Sequence, residues 1–135
     1  MYRLLIVEDE YIIRNTLATA LDWKETGCEV IGTSKNGAEA MEFLQKEKAD
    51  IIITDIKMDE MDGIELCSQV SRLYPNMKII IITGYGEFDY AKSAIKLGVK
   101  DFILKPIEHG ELLNAVRKAA LELDFLNKKI LNFKK

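Results

Sequence analysis

The sequence predicts an α/β fold in which helices cover both faces of a parallel, doubly wound sheet of five strands. Apolar runs rich in β-branched residues alternate five times with amphipathic stretches along the chain. Several of these runs, such as residues 79–82, are continuously apolar, which is typical of strands buried on both faces of a sheet. The connections are short, so right-handed β-α-β crossovers place the helices on both faces.

Each predicted strand is a short run dominated by Val, Ile, Leu or Thr. The five runs are residues 3–7, 29–32, 51–54, 78–83 and 100–104. The first, third and fourth contain three or four consecutive large aliphatic side chains. We therefore expect both faces of these three strands to be buried.

Each predicted helix has apolar residues at helical spacing. The five helices are predicted at residues 11–22, 37–47, 64–74, 87–97 and from about 108 towards the end of the chain. The pair Asn36-Gly37 is a start signal for the second helix, and Pro75 stops the third. Gly98 follows the fourth helix as a left-handed C-terminal cap.

Length and composition describe one globular domain of 135 residues and 15.4 kDa. Apolar residues make up 48% and charged residues 30%, which excludes a disordered chain. The longest apolar runs have four residues, far fewer than the ~20 that a membrane-spanning helix needs. Acidic residues 8–10 stand where a signal peptide would be apolar, and Cys28 and Cys67 cannot form a disulfide framework. We therefore expect a cytoplasmic protein without membrane association.

The charge is distributed unevenly around its total of −3. Residues 1–110 hold 13 basic and 19 acidic side chains, a net charge of −6, whereas residues 111–135 hold 6 and 3, a net charge of +3. An acidic body excludes broad binding of nucleic acid by this domain, because phosphate contacts need clustered positive charge. It is compatible with a divalent metal ion.

Polar side chains stand directly after the predicted strands. Glu8 and Asp9 follow the first strand, Asp55 the third, Thr83 ends the fourth, and Lys105 follows the fifth. Ligands of such sheets bind at the carboxyl ends of the strands, and in strand order 2-1-3-4-5 Asp9 and Asp55 would converge.

Convergent carboxylates repel one another unless a cation joins them, and Mg²⁺ suits carboxylates and phosphate oxygens. Lys105 adds a positive charge, and Thr83 can donate a hydrogen bond to an anionic oxygen. Together these groups predict phosphoryl transfer onto a carboxylate, with Asp55 as the nucleophile.

The same residues lie in motifs that resemble the receiver domain of two-component response regulators over about residues 2–122. The motifs are Leu5-Ile6-Val7-Glu8-Asp9-Glu10, Ile53-Thr54-Asp55-Ile56, Met61-Asp62-Gly63, Ile82-Thr83-Gly84 and Phe102-Ile103-Leu104-Lys105-Pro106. The resemblance implies a flavodoxin-like (CheY-like) fold with strand order 2-1-3-4-5. It also implies phosphorylation by a sensor histidine kinase.

The resemblance implies a role for each site residue. Asp55 matches the phospho-acceptor, and Asp9 matches a direct Mg²⁺ ligand, with Glu8 acting indirectly. The backbone carbonyl of Lys57 matches a third protein ligand of Mg²⁺. Lys105 matches the lysine that neutralises charge on the phosphoryl group.

Further residues match the switch of the family. Thr83 corresponds to the switch hydroxyl and Phe102 to the aromatic rotamer switch, and the bond before Pro106 should be cis. Asp59 stands where the family usually has proline, which leaves that loop freer and adds negative charge. Tyr85, like Lys57, flanks the phosphoryl site in the family, where these positions influence the lifetime of the phosphoryl group.

The stretch 83–92 is similar to receivers whose output is an AraC-type helix-turn-helix domain. The resemblance then implies that phosphorylation changes the surface of helix 4, strand 5 and helix 5 and so controls an output, transcription. It implies DNA contact only through an output domain that this sequence does not include. It is also compatible with a homodimer through that surface or through the C-terminal helix.

The C-terminal helix carries an apolar stripe with alternating spacings of four and three. The stripe consists of Leu112, Val116, Ala119, Leu123, Leu126, Ile130 and Phe133. Its first half is predicted to pack on the sheet. Residues 1–122 are expected to form the receiver, and residues 123–135 a helical extension that pairs with a second copy or leads to an output domain.

Three other functions were compatible with parts of the pattern. A Mg²⁺-dependent phosphohydrolase would share the aspartyl phosphate but has a second Asp two residues after the nucleophile, where this chain has Lys57. An interaction module that needs no phosphorylation would not require the acidic site. A flavin- or nucleotide-binding protein would have a glycine-rich loop after the first strand. We therefore expect a regulatory phospho-acceptor that assists its own phosphorylation and dephosphorylation, and not a turnover enzyme.

Overall fold

The computed structural model describes residues 1–134, apart from the side chains of Tyr85, Phe88, Phe133 and Lys134. Within these residues, five parallel strands form one sheet in the order β2-β1-β3-β4-β5. The strands are β1 (Tyr2–Val7), β2 (Cys28–Ser34), β3 (Ile51–Asp55), β4 (Lys78–Thr83) and β5 (Asp101–Leu104). This arrangement confirms the predicted fold class and strand order.

Helices connect the strands and cover both faces of the sheet. They are α1 (Tyr11–Thr19), α2 (Gly37–Lys46), α3 (Gly63–Leu73), α4 (Phe88–Ala91) and α5 (His109–Lys134), with 3₁₀ turns at Trp23–Thr26, Tyr85–Glu87 and Lys92–Leu97. The predicted start of α2 is confirmed, since the side chain of Asn36 accepts a hydrogen bond from the backbone N–H of Glu39 at 2.8 Å.

Alternate side chains of the central strands enter two separate hydrophobic layers. On β1, Leu4 and Ile6 face the layer covered by α1 and α5, whereas Leu5 and Val7 face the layer covered by α2 and α3. All four side chains are fully buried. Burial on both faces of a parallel sheet therefore explains why these strands are continuously apolar, as expected from the sequence.

The fourth helix differs from its prediction. The sequence predicts one helix over residues 87–97, but α4 spans only Phe88–Ala91 and 3₁₀ turns flank it. Among its described side chains, the fully buried ones are the small Ala91 and Ala94, whereas Ile95 is 61% exposed. A segment anchored by so little apolar surface gains little from packing as a regular α-helix. Gly98 does end the segment in the left-handed region, with φ of 78°.

Helix α5 continues without interruption past residue 122 and is bonded to the edge of the sheet opposite the carboxyl ends of the strands. Glu122 forms ion pairs with Lys78 and Lys100, which precede or begin β4 and β5. The hydroxyl of Tyr2 donates to Asp124 at 2.6 Å and accepts from Asn127 at 3.1 Å. In residues 1–134, no helix is both long and apolar enough to span a membrane.

The apolar stripe of α5 turns towards its own domain. Leu112, Val116 and Ala119 are fully buried against the sheet, as predicted for the first half of the stripe. Leu123 is also buried, at 6% exposure, while Ile130 is 44% exposed. The last residue of the stripe, Phe133, has its side chain outside the described residues.

We predict that Leu123→Ala lowers the free energy of unfolding by about 2–3 kcal/mol, because it leaves a cavity between α5 and the sheet. Leu121→Ala is the matched control on the same helix, since Leu121 is 60% exposed. It should change stability by less than about 0.5 kcal/mol. Urea denaturation measures both values, and equal losses would show that α5 does not pack on the body at Leu123.

Candidate functional site

Asp55 is the last residue of β3 and lies at the carboxyl edge of the sheet. It is 2% exposed although it carries a carboxylate. Its Oδ1 atom accepts a hydrogen bond from the backbone N–H of Ile56 at 2.9 Å and lies 3.1 Å from Nζ of Lys105. β3 pairs with β4 up to this point, so that Asp55 lies opposite Ile82.

Glu8 and Asp9 follow β1, the other neighbour of β3, and bring two more carboxylates to the same point. One oxygen from each of Glu8, Asp9 and Asp55 lies within 4.8 Å of the others. Glu8 is buried, and its Oε2 atom accepts from the backbone N–H of Glu10 at 3.1 Å. Arg14 fixes the backbone of this turn, because its Nη1 donates to the carbonyl of Glu8 at 2.8 Å.

Burial makes the carboxyl groups of Glu8 and Asp55 harder to ionise than usual. Burial raises the pKa of Glu8 to about 8, assisted by the hydrogen bond that its protonated form shares with Asp9 and by the charge of Asp55. Burial also raises the pKa of Asp55, even though the charge and hydrogen bond of Lys105 and the N–H of Ile56 lower it. The ion pair with Lys105 therefore offsets only part of the effect of burial on Asp55.

Lys105 reaches the site from the end of β5. Its backbone N–H donates to the carbonyl of Thr83 at 2.9 Å, and its peptide bond to Pro106 is cis. Burial lowers the pKa of Lys105, but the charge and hydrogen bond of Asp55, together with the charges of Glu8 and Glu87, raise it overall. Lys105 therefore carries a full positive charge at neutral pH.

The loop between β3 and α3 folds tightly against Asp55. The backbone N–H of Gly63 donates to the carbonyl of Ile56 at 2.8 Å, and a Cβ at Gly63 would lie 2.3 Å from the carbonyl oxygen of Asp55. Only glycine permits this approach, because side-chain atoms cannot come so close to backbone. Asp62 caps α3 by accepting from the N–H of Glu65 at 3.0 Å.

An open cleft of about 730 Å³ lies next to the cluster of carboxylates, since Asp9 lines it and has a carboxylate oxygen within 4.8 Å of one of Asp55. It is lined by Asp9, Lys57, Met58, Asp59, Asp62, Gly86, Glu87 and Tyr90. Lys57 and Asp59 are exposed at its margin. The side chain of Tyr85, predicted to flank the site, lies outside the described residues.

The predicted switch residues lie at the end of β4 and on β5. Thr83 is fully buried, and its hydroxyl donates to the carbonyl of Gly84 at 3.3 Å. Phe102 is partly buried against the layer that α2 and α3 cover. The structure thus brings Glu8, Asp9, Asp55 and Lys105 together and places Thr83 on the adjacent strand, with Phe102 away from the cleft.

Two contacts of the cleft were not predicted from the sequence. The carboxylate of Glu87 accepts from the backbone N–H of Gly84 at 2.8 Å, and the hydroxyl of Tyr90 donates to Asp62 at 2.6 Å. The first could have been found from spacing alone, because a Glu three residues along from a turn commonly reaches back to a backbone N–H. The second joins two segments distant in sequence, and no local pattern predicts it.

Comparisons with known proteins identify the family. Residues 4–117 match the family described as "Response regulator receiver domain". The chain is 40% identical over 123 residues to YesN of Bacillus subtilis (strain 168), described as an uncharacterized transcriptional regulatory protein. That match covers 91% of this chain and 33% of YesN. A match of 35% identity to the transcriptional regulatory protein HptR of Staphylococcus aureus covers 83% of this chain and 44% of HptR.

Solved structures lead to the same family. The REC domain of AraT, a response regulator from Geobacillus stearothermophilus, superimposes with a TM-score of 0.88 at 36% identity and covers 93% of this chain and 98% of that one. A two-component transcriptional regulator AraC from Clostridium phytofermentans gives a TM-score of 0.83 at 32% identity, covering 90% and 94% of the two chains. This chain spans between a third and a half of the length of the curated relatives it matches. On these matches, together with the carboxylates and the lysine gathered at the carboxyl edge of the sheet, the chain belongs to the receiver domains of response regulators, and its relatives are transcriptional regulators.

Proposed function

We propose that Asp55 is the residue of this receiver domain that accepts the phosphoryl group from a sensor histidine kinase. Receiver domains as a family are phosphorylated by histidine kinases. The observation that carries the assignment is the ion pair at 3.1 Å between the buried carboxylate of Asp55 and Lys105, beside an open cleft. A buried nucleophile next to a fixed cation is the arrangement that transfer of a dianionic group requires.

The transfer exchanges one bond to phosphorus for another. An oxygen of Asp55 attacks the phosphorus atom of the phosphohistidine, the bond between phosphorus and the imidazole nitrogen breaks, and its electron pair stays on the nitrogen. Lys105 and the N–H of Ile56 both bind Oδ1. In the proposed step Oδ2 attacks, while these two donors hold the carboxylate in orientation.

We further propose that Asp9, Asp55 and the backbone carbonyl of Lys57 bind Mg²⁺ directly, with Glu8 acting through water. Receiver domains bind Mg²⁺ at an acidic pocket. The residues of this chain fit the ion, because three carboxylate oxygens lie within 4.8 Å of one another. In the ionised form of Glu8, the buried Oε1 atom has no hydrogen-bond donor among the described residues. The bound ion supplies positive charge that offsets the charge developing on the phosphoryl oxygens.

We predict that Mg²⁺ raises the melting temperature of the wild type by a few degrees, since a ligand at about ten times its dissociation constant stabilises by about 1.4 kcal/mol. Asp9→Asn should abolish the shift because it removes a direct ligand and part of the negative charge. Asp22→Asn removes a carboxylate at an exposed position away from the cleft and should keep the shift. Thermal denaturation with and without Mg²⁺ measures all three; a full shift in Asp9→Asn would exclude Asp9 as a ligand.

We propose that Thr83 and Phe102 transmit the phosphorylation. The new phosphoryl oxygens attract the Thr83 hydroxyl, which leaves its present bond to the carbonyl of Gly84. Phe102 then turns inward into the space that Thr83 vacates, and the surface formed by the 88–97 segment, β5 and α5 changes. This is a population shift between two packings.

We predict that Thr83→Ala separates phosphorylation from the switch. The variant should gain one phosphoryl group, as the wild type does, because the acceptor Asp55 and its partner Lys105 are unchanged. The amide resonances of β5 should then shift less on phosphorylation, since no hydroxyl responds. Intact mass and two-dimensional NMR measure the two effects, and loss of phosphorylation in Thr83→Ala would contradict this division of roles.

The output of the domain is also a proposal. Since the curated relatives are longer transcriptional regulators, we propose that residues 1–122 act as the receiver and that residues 123–135 lead towards an output domain that binds DNA. A homodimer through the surface of the 88–97 segment, β5 and α5, or through the end of α5, would combine two such outputs.

Intact mass after incubation with acetyl phosphate and Mg²⁺ tests the proposed function. We expect the mass of one phosphoryl group to be added. Rapid release of phosphate from unrelated esters would instead identify a phosphohydrolase. If the chain gains no phosphoryl group from acetyl phosphate or from a phosphorylated histidine kinase, the result would instead favour an interaction module that works without phosphorylation.

A further inference from the structure

The carboxylate of Glu87 binds the backbone at the end of β4. Its Oε1 atom accepts from the N–H of Gly84 at 2.8 Å, while the N–H of Glu87 donates to the carbonyl of Gly84 at 3.0 Å. The carboxylate lies so close that a Cβ at Gly84 would be 2.9 Å from Oε1. An anionic group of the chain therefore already binds an N–H at the carboxyl edge of the sheet.

This N–H belongs to the neighbourhood of Asp55. β4 is hydrogen-bonded to β3, and Ile82 lies opposite Asp55, so that Gly84 is only two residues farther along the adjacent strand. Neighbouring strands are ~4.8 Å apart. A phosphoryl group on Asp55 would extend beyond the end of β3 and would therefore lie beside Gly84. Glu87 lines the cleft and is among the charges that act on Lys105.

In this structure, the hydroxyl of Thr83 and the N–H of Gly84 are both hydrogen-bonded to the chain that follows β4. The hydroxyl of Thr83 donates to the carbonyl of Gly84, and the N–H of Gly84 donates to Glu87. A phosphoryl group on Asp55 needs hydrogen-bond donors for its new oxygens, and a second anion next to it is repelled. Glu87 and the phosphoryl group therefore compete for one donor.

We propose that Glu87 competes with a phosphoryl group on Asp55 for the N–H of Gly84, which Glu87 holds in the unphosphorylated state and gives up when Asp55 is phosphorylated. The inference rests on the proposed function of Asp55. Release of Glu87 frees the 3₁₀ turn Tyr85–Glu87, so that the change at Asp55 reaches the segment before α4 by a route separate from Thr83. The competition makes the unphosphorylated state more stable and opposes phosphoryl acceptance.

Titration of the full chain with beryllofluoride in the presence of Mg²⁺ tests this inference, because the complex imitates an aspartyl phosphate. The amide resonance of Gly84 reports binding. Glu87→Ala should lower the half-saturating concentration about three- to tenfold, the size expected for one lost side-chain contact to a backbone N–H, and Glu87→Gln should lower it less. Asp59→Asn is the comparison variant, since it removes the same charge from the margin of the cleft without a contact to Gly84.

A second measurement distinguishes competition from a merely structural contact. Glu87→Ala should lower the melting temperature of the free protein but not that of the beryllofluoride-bound protein, in which Gly84 has another partner. Equal losses in both states, or equal effects of Glu87→Ala and Asp59→Asn on binding, would overturn the inference while leaving the proposed function intact. If wild type and variants alike bind no beryllofluoride, the proposed function of Asp55 fails and the inference fails with it.

Discussion

Asp55→Asn is expected to abolish phosphorylation completely. In the structure, Asp55 is the buried carboxylate that both Lys105 and the N–H of Ile56 contact. An amide cannot attack phosphorus as a carboxylate does, and of the three clustered carboxylates only Asp55 is ion-paired with Lys105 among the described residues. Intact mass after incubation with acetyl phosphate and Mg²⁺ should therefore show one added phosphoryl group in the wild type and none in the variant.

The control for this experiment is another carboxylate of the same cleft. Asp59 lies at its margin but is exposed and has no contact with Lys105 among the described residues. Asp59→Asn should therefore still gain one phosphoryl group. Burial raises the pKa of the Asp55 carboxyl, which means that its charged form is costly to bury. Asp55→Asn removes that charge, so the variant should remain folded. Phosphorylation of Asp55→Asn at another residue would contradict the assignment.

Gly63→Ala is expected to have the largest effect on stability, a loss of about 3 kcal/mol or more. An added Cβ would lie 2.3 Å from the carbonyl oxygen of Asp55 and 2.8 Å from Cα of Ile56. These are backbone atoms of Asp55, the last residue of β3, and of the buried residue that follows it, and they cannot move aside as a flexible side chain can. The same collision would shift Asp55, so the variant should also gain its phosphoryl group more slowly.

Gly110→Ala is the matched control for the glycine substitution. Gly110 is in the first turn of α5, and nothing lies within 4 Å of the position that its Cβ would take. Alanine there should stabilise the protein by about 0.5–1 kcal/mol, because it restricts the unfolded chain and favours the helix. Urea denaturation compares the two variants. A similar change in both would mean that the β3–α3 loop relaxes around the extra methyl group.

Most of the fold was predictable because the central strands satisfy a simple requirement. Ile79, Ile80, Ile81 and Ile82 are all buried, and a short run of β-branched residues buried on all sides is typical of a strand covered on both faces. The fourth helix was less predictable, since its sequence has apolar residues at helical spacing but Ile95 remains exposed. Whether an apolar residue such as Ile95 is buried depends on the tertiary packing, and the spacing of apolar residues in the sequence does not report that packing.

The candidate site divides in a similar way. The meeting of Asp9, Asp55 and Lys105 follows from strand order, because each ends or follows a strand of one parallel sheet. The bond between Tyr90 and Asp62 depends on how the 88–97 segment packs beside α3, so the sequence did not predict it. Glu87 had a recognisable spacing, but only the structure shows that its carboxylate is bound to Gly84 beside the cleft.

The attachment of α5 to the body over its first two-thirds leaves the last turns of the helix as a rigid arm. Its 26 residues make it about 39 Å long, and Glu122, Asp124 and Asn127 bind it to the body about two-thirds of the way along. Lys105 precedes the near end by only a few residues. Because Leu112, Val116 and Ala119 also pack the first half of the helix on the sheet, α5 can only tilt as one body, and a tilt of about 5° over its length would displace the last turn by about 3 Å relative to the first. A domain joined to the last turn would then receive the signal of the cleft as a change in helix direction.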